Sequence, residues 1–164
     1  MMCNGLTISF PADYRYGWNM TSHEHQAMLG RYRKEIGIAV TAWTPTCTPW
    51  SIAGRTVDSK TQAANREEQM PFLNWMVHDI EATVASGDDA FVENPKTSDI
   101  WRTEPAMKLT QLGLKPRKGD QCRRGATLAG TNTPIEKGIR WESKFPMQHK
   151  AVPCQCTAPQ GPVP

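Results

Sequence analysis

Cys47 stands in the run Trp43-Thr44-Pro45-Thr46-Cys47-Thr48-Pro49-Trp50-Ser51, directly after the apolar stretch Ile38-Ala39-Val40-Thr41-Ala42. A second apolar run, Ala90-Phe91-Val92, ends in Glu93-Asn94-Pro95. Open α/β sheets bind and transform ligands at the carboxyl ends of their strands. A thiol on one strand end and a carboxyl group on another can therefore face a single substrate. The thiolate would add to an electron-poor ring carbon, and the acid would hydrogen-bond the ring nitrogen that takes up the displaced charge. Each residue alone has a plainer reading. A cysteine at the end of a buried strand is commonly a small hydrophobe, and Asn-Pro favours turn initiation. The Pro-flanked setting of Cys47 and the matching position of Glu93 favour the joint site.

The elements that must position this pair can be read from periodicity and punctuation. Residues 6–10 form a short strand closed by Pro11. Thr21-Ser22-His23-Glu24 has the form of a capping box. The helix it opens carries Met28, Leu29, Tyr32 and Ile36 near helical spacing, and Gly37 ends it. Residues 38–43 follow as a continuous apolar strand of the kind buried on both faces. The beginning is thus strand–helix–strand with a right-handed connection. A long helix over 62–85 has Phe72, Trp75 or Met76, Ile80 and Val84 on its inner face, and Pro71 either kinks it or starts it. Gly87 stops it before a strand over 89–93. Residues 97–109 suggest a short amphipathic helix disturbed by Pro105, residues 114–121 are basic and read either way, and 138–141 is a strand. Four prolines without periodicity mark residues 152–164 as a disordered tail, leaving one domain over 1–150.

Composition sets outer limits. A chain of 164 residues, 38% apolar and 21% charged, is long enough to bury a core. No apolar run reaches the ~20 residues of a membrane span, and the first residues lack a signal-peptide pattern. The net charge of +3 permits contact with nucleic acid without arguing for it. The sharper signal is local: Lys115, Arg117, Lys118, Arg123 and Arg124 form a group able to neutralise phosphates, although such groups are usually solvated faces. Five scattered cysteines make a poor disulfide framework and point to a reducing interior, the cytoplasm or a nucleus. Cys154-Gln155-Cys156 lacks the spacing of a zinc knuckle, so no metal is expected. His23 and His25 are two residues apart on a helix and do not share a face, which argues against a Cys–His hydrolase.

Cytosine fits the chemistry of a facing thiol and acid. Its C5 is a poor nucleophile until a thiolate adds to C6 and makes C5 an enamine carbon. An acid at N3 eases that addition, and the base must leave the helix to reach both groups. Pro45-Thr46-Cys47-Thr48-Pro49-Trp50-Ser51 resembles the catalytic Pro-Pro-Cys-Gln-x-Phe-Ser motif of cytosine-5 DNA methyltransferases. Pro45, Cys47, Ser51 and an aromatic at Trp50 match, whereas Thr46 and Thr48 depart from the usual Pro and Gln. Glu93-Asn94-Pro95 is similar to the Glu-Asn-Val motif, and Arg140 matches an arginine of the later Gln-x-Arg-x-Arg segment. A closer resemblance is to the divergent methyltransferase-like domains of phages and retroelements. Its pieces are Gly17-Trp18-Asn19, Cys47 to Ser51, Glu93 to Pro95 and Asp120-Gln121-Cys122, in order over about residues 14–145.

The resemblance implies a reduced Rossmann-like, class I methyltransferase-type doubly wound α/β sheet. It also implies S-adenosylmethionine-dependent methylation of cytosine C5 in DNA. Cys47 would attack C6, Glu93 would hydrogen-bond N3, and Arg140 would support the base or Glu93 through a charge-assisted bond. Ser51 and Asn94 would orient the two loops on the substrate side, Arg123 and Arg124 would meet the DNA, and Trp18 and Asn19 would lie on the adenosine side. Two departures stand out. No Phe-x-Gly-x-Gly turn, through which the family's backbone approaches the cofactor, precedes Leu6. The ribose-gripping acid expected after Trp18 is Asn19. A truncated enzyme, a minimal form and an inactive DNA-binding or structural remnant of a mobile element or phage all fit this pattern.

Overall fold

The computed structural model describes residues 2–3, 6–7, 9, 11–51, 57–120, 130 and 138–144. It is a mixed α/β structure built on a four-stranded sheet. In chain order the elements are β1 (Met2–Cys3), β2 (Leu6–Thr7), α1 (His23–Ile36), β3 (Val40–Trp43), α2 (Ser59–Ala85), β4 (Asp89–Pro95), α3 (Glu104–Gln111), β5 (Lys115–Asp120) and β6 (Gly138–Ser143). The sheet order is β3-β4-β6-β5. β3 and β4 are parallel and joined through α2, while β6 lies antiparallel between β4 and β5. Residues 152–164, expected as a tail, lie outside the described residues, as do Cys122, Arg123 and Arg124.

The expected strand–helix–strand opening is not formed. β2 covers only Leu6–Thr7 and pairs antiparallel with β1 in a separate ribbon. The dipeptide between them is Asn4-Gly5, which favours two-residue hairpins over long parallel crossovers. β3 is consequently an edge strand rather than one buried on both faces, and Val40 remains 45% exposed.

α1 also departs from its apolar pattern. Met28 and Ile36 are exposed, and Gln26 is the buried residue of the helix. Leu29 packs against the core as expected, and an ionic contact adds to it: Arg33 Nη1 donates to the Asp79 carboxylate and to Thr83 Oγ1 of α2. Burial pushes the Asp79 carboxyl above its usual range, and Arg33 offsets part of that cost. The capping box is absent, because the N-cap is Ser22 and the Thr21 hydroxyl donates to Asn19 Oδ1 instead. Gly37 ends the helix as expected, in the left-handed conformation at φ 63°.

α2 is the spine of the molecule. Asp58 caps it by accepting from the backbone N–H groups of Lys60 and Thr61. It runs through Pro71 without restarting. The bond lost there would have used the Glu67 carbonyl, and both residues are exposed, so water can hydrate it. Beyond Pro71 the helix turns inward, burying Leu73, Met76, Val77, Ile80 and Thr83. With α3 it covers the face of the sheet that carries Trp43, Ala90 and Val92. Trp43 packs edge-on against Trp75 at 5.4 Å, which seats β3 on the helix. Pro105 begins α3 rather than disturbing it, since a first-turn proline sacrifices no helical bond. The preceding segment is a 3-10 turn, Asp99–Arg102. The basic segment after α3 is strand β5. No helix among the described residues is long and apolar enough to cross a membrane.

Candidate functional site

β3 ends at Trp43, in register with Val92 of β4. Both chains then run out at the same end of the sheet, one towards Cys47 and the other through Glu93 to Pro95. The turn after β3 is tethered inward at several points, with Pro45, Pro49 and Trp50 buried and Thr44, Thr46 and Thr48 exposed. Cys47 is half-buried with a free thiol, at the start of the 3-10 turn Thr48–Trp50. Its carbonyl accepts from Trp50 N–H at 3.0 Å. Ser51 closes the turn and is half-buried.

Asn94 joins the two strand ends. Its side chain is 1% exposed, and Nδ2 donates to the Pro45 carbonyl at 2.7 Å. This bond fastens the Cys47 turn to the strand that carries Glu93. A second tether lies on the other side of Cys47, where the Pro49 carbonyl accepts from Arg66 Nε at 2.8 Å and from Gln62 Nε2 at 3.4 Å, both on α2. Pro45 and Pro49 have no N–H groups, so their carbonyls are the backbone handles by which this turn is held.

Glu93 is half-buried and pairs with Trp141 of β6. Side chains alternate along a strand, so Glu93 and Trp141 share the face opposite Asn94. Arg140 is the register partner of Asn94 and therefore lies across the sheet from Glu93. There it bonds the carboxylate of Glu142 and stacks over Trp101, 4.6 Å from the ring centroid. The expected charge-assisted partner of Arg140 is thus Glu142 rather than Glu93. Glu142 is fully buried, and that burial raises its carboxyl above the usual range, with Arg140 opposing the shift. A two-residue period decides this: shifting one residue along β6 exchanges the faces.

At the residues expected to face adenosine, Trp18 meets His25 edge-on at 5.9 Å and lines a cleft of about 140 Å³. Asp13, Tyr14 and Phe72 line it too, with Thr44, Pro45 and Thr46 of the turn leading to Cys47. Cys47 and Glu93 are not among its lining residues. Asn19 is not one either, and its Oδ1 already accepts from Tyr14 Oη, Thr21 N–H and Thr21 Oγ1. Of the basic group, Lys115 and Lys118 are exposed and Arg117 is half-buried. Among the described residues no group of three His, Cys, Asp or Glu side chains could hold a metal.

Arg66, Gln62 and Asp99 escaped the sequence reading. Gln62 and Arg66 are one helical turn apart, so they share a face, but nothing in their types says that this face meets a turn thirteen or more residues earlier. In comparisons with known proteins, no family model, no curated protein and no solved structure matches the chain.

Proposed function

We propose that this chain is a reduced, Rossmann-like domain of the DNA cytosine-5 methyltransferase type, acting on the cytosine ring through Cys47 and Glu93. The observation that carries the reading is the Asn94–Pro45 bond. It holds the thiol turn against the strand bearing the acid, at the end of the sheet where α/β folds do their chemistry. β3, α2 and β4 form one parallel strand–helix–strand unit, and an antiparallel strand is a common addition to doubly wound sheets.

The steps on the cytosine follow from these groups. The Cys47 thiolate adds to C6 of an extruded base, forming the S–C6 bond. The C5=C6 electron pair shifts towards N3, which takes the proton of the Glu93 carboxyl group. C5 is then an enamine carbon and can take up an electrophile. Return of the N3 proton to the Glu93 carboxylate, loss of the original C5 proton to water and expulsion of the thiolate restore the aromatic ring. Asn94 holds the turn to the strand that carries Glu93, and Ser51 ends the turn. Lys115 and Lys118 are exposed cations available to phosphates.

S-adenosylmethionine is the methyl donor that the resemblance implies. The described residues do not fit that whole group. The cleft beside Trp18 has about 140 Å³, against roughly 300 Å³ or more for pockets that enclose drug-sized ligands. Asn19 has spent its carboxamide oxygen on three internal donors. This same observation favours the second reading, a DNA-binding remnant of a phage or mobile element with no methyl transfer.

Exchange of the C5 hydrogen needs no methyl donor and tests the cytosine chemistry directly. Wild-type protein incubated with a duplex tritiated at cytosine C5 is expected to release tritium to water, and Cys47→Ser is expected to release none. A duplex with pyrimidin-2-one in place of cytosine, more electrophilic at C6, is expected to form a covalent adduct with Cys47. Absence of both signals in the wild type would overturn the enzymatic reading and leave the remnant.

A further inference from the structure

We infer that Arg66 is a positioning residue for the Cys47 thiol, locking the nucleophile turn to the segment that follows the acid strand. Its guanidinium makes three contacts at once. Nε donates to the Pro49 carbonyl at 2.8 Å. Nη2 pairs with Asp99 Oδ2 at 2.7 Å, in the 3-10 turn that follows β4. Its Cζ lies 5.3 Å from the ring centroid of Trp50, a residue only 5% exposed. One planar, five-donor group therefore bridges the turn after β3, the helix α2 and the turn after β4. An ammonium cannot reproduce this set, because it lacks the fixed fork and the flat face.

The position of these contacts gives them their meaning. Asn94 holds the carbonyl two residues before Cys47, and Arg66 holds the carbonyl two residues after it. The thiol-bearing residue is thus held between two fixed points, each supplied by a different element. Effective catalysis needs reacting groups held near attack geometry, and small misplacements are costly. Asp99 fixes the guanidinium in turn. The Arg66–Asp99 pair is partly exposed, at 31% and 24% of the side chains, so orientation matters more here than the energy of the ion pair.

This assignment rests on the proposed chemistry for its catalytic consequence, and on the geometry alone for its effect on the turn. Two readouts separate these. The first is the rate at which iodoacetamide alkylates Cys47, followed on the Cys47 peptide by mass spectrometry at a temperature where circular dichroism shows each variant folded. Arg66→Met is expected to raise this rate roughly fivefold, and Arg66→Lys to raise it less, because a released turn exposes a half-buried thiol. The second is adduct formation with the pyrimidin-2-one duplex. Arg66→Met is expected to slow the rate at saturating DNA by about tenfold while leaving DNA affinity within about twofold. Arg33→Lys, which perturbs the α1–α2 contact far from the turn, is the control for general loosening and is expected to leave both readouts at wild-type values. If Arg66→Met alkylates at the wild-type rate, or no faster than Arg33→Lys, the positioning role is overturned. If Cys47 alkylation responds as expected but wild-type protein traps no DNA, the positioning role stands and the methyltransferase reading falls. If wild-type protein traps DNA and Arg66→Met matches it in both readouts, the reading stands and the positioning role falls.

Discussion

Around Cys47, the bonds that shape the turn arrive from far along the chain. Asn94 and Pro45 are 49 residues apart, Arg66 and Pro49 are 17 apart, and Arg66 and Asp99 are 33 apart. Around Asn19, the bonds are local. Its carboxamide and backbone N–H reach Tyr14, Thr21 and His25, all within six residues. The first region is a tertiary construction whose shape depends on the sheet and α2 being in place. The second is a loop that folds onto itself and onto the start of α1. A loop that satisfies its own polar groups has fewer left for a ligand, whereas a turn held by its Pro45 and Pro49 carbonyls and the Trp50 ring keeps its thiol free. That contrast is the physical basis for proposing chemistry at Cys47 rather than at the loop around Asn19.

The largest expected effect is chemical. Cys47→Ser removes the proposed nucleophile and is expected to abolish both tritium release and adduct formation while leaving the melting temperature near wild type. An unchanged adduct would move the chemistry to another residue. Next comes the tether. Asn94→Ala leaves the Pro45 carbonyl without its donor, and is expected to cost about 1–3 kcal/mol in denaturant unfolding and to speed Cys47 alkylation. Normal stability with normal alkylation would show that the turn holds itself.

A third effect lies beneath the site. Glu142 has a carboxyl raised by burial, so the native state holds its proton more tightly than the unfolded chain does. Protonation therefore stabilises the fold. The contribution is complete below the unfolded value near 4.5 and is lost as pH rises through the raised native value. The slope for one such group reaches at most about 1.4 kcal/mol per pH unit. Glu142→Gln is expected to lose less stability than wild type between pH 4.5 and neutrality, and equal slopes would sink the assignment. The smallest effect is expected in the local loop. Asn19→Asp offers the same oxygen to the same three donors and is expected to change stability by no more than about 0.5 kcal/mol. A large loss would mean that the loop is coupled to more than its own residues.

The sequence announced the long helix, its end at Gly87, the strand after it and the strand at 138–141. Each carries periodicity or punctuation that acts over a few residues. It also singled out Cys47, Glu93 and Asn94, whose neighbours are unusual in type. It misjudged the opening. Residues 38–43 looked doubly buried because apolar content says nothing about which neighbour a strand will find, and β2 took β1 as its partner instead. The 28–36 apolar spacing on α1 was borne out in part: the helix docks through Leu29 and Arg33 and leaves Met28 and Ile36 exposed. Arg140 was expected beside Glu93 and faces Glu142 because register, a property of two paired strands, decides the face.

What the sequence determined by itself is the chemistry on offer: a thiol between two prolines after one apolar run, an acid after another, and Asn19 where the resemblance expects an acid. What only the tertiary structure decided is which of these meet. Asn94 reaching Pro45, Arg66 reaching Pro49, Trp50 and Asp99 together, and Arg140 turning away from Glu93 all depend on strand order, register and the seating of α2. Those follow from burying Trp43, Val92, Leu73 and Ile80 in one core. Hydrophobic burial is non-directional and sums over distant residues, so no local window of sequence contains its outcome.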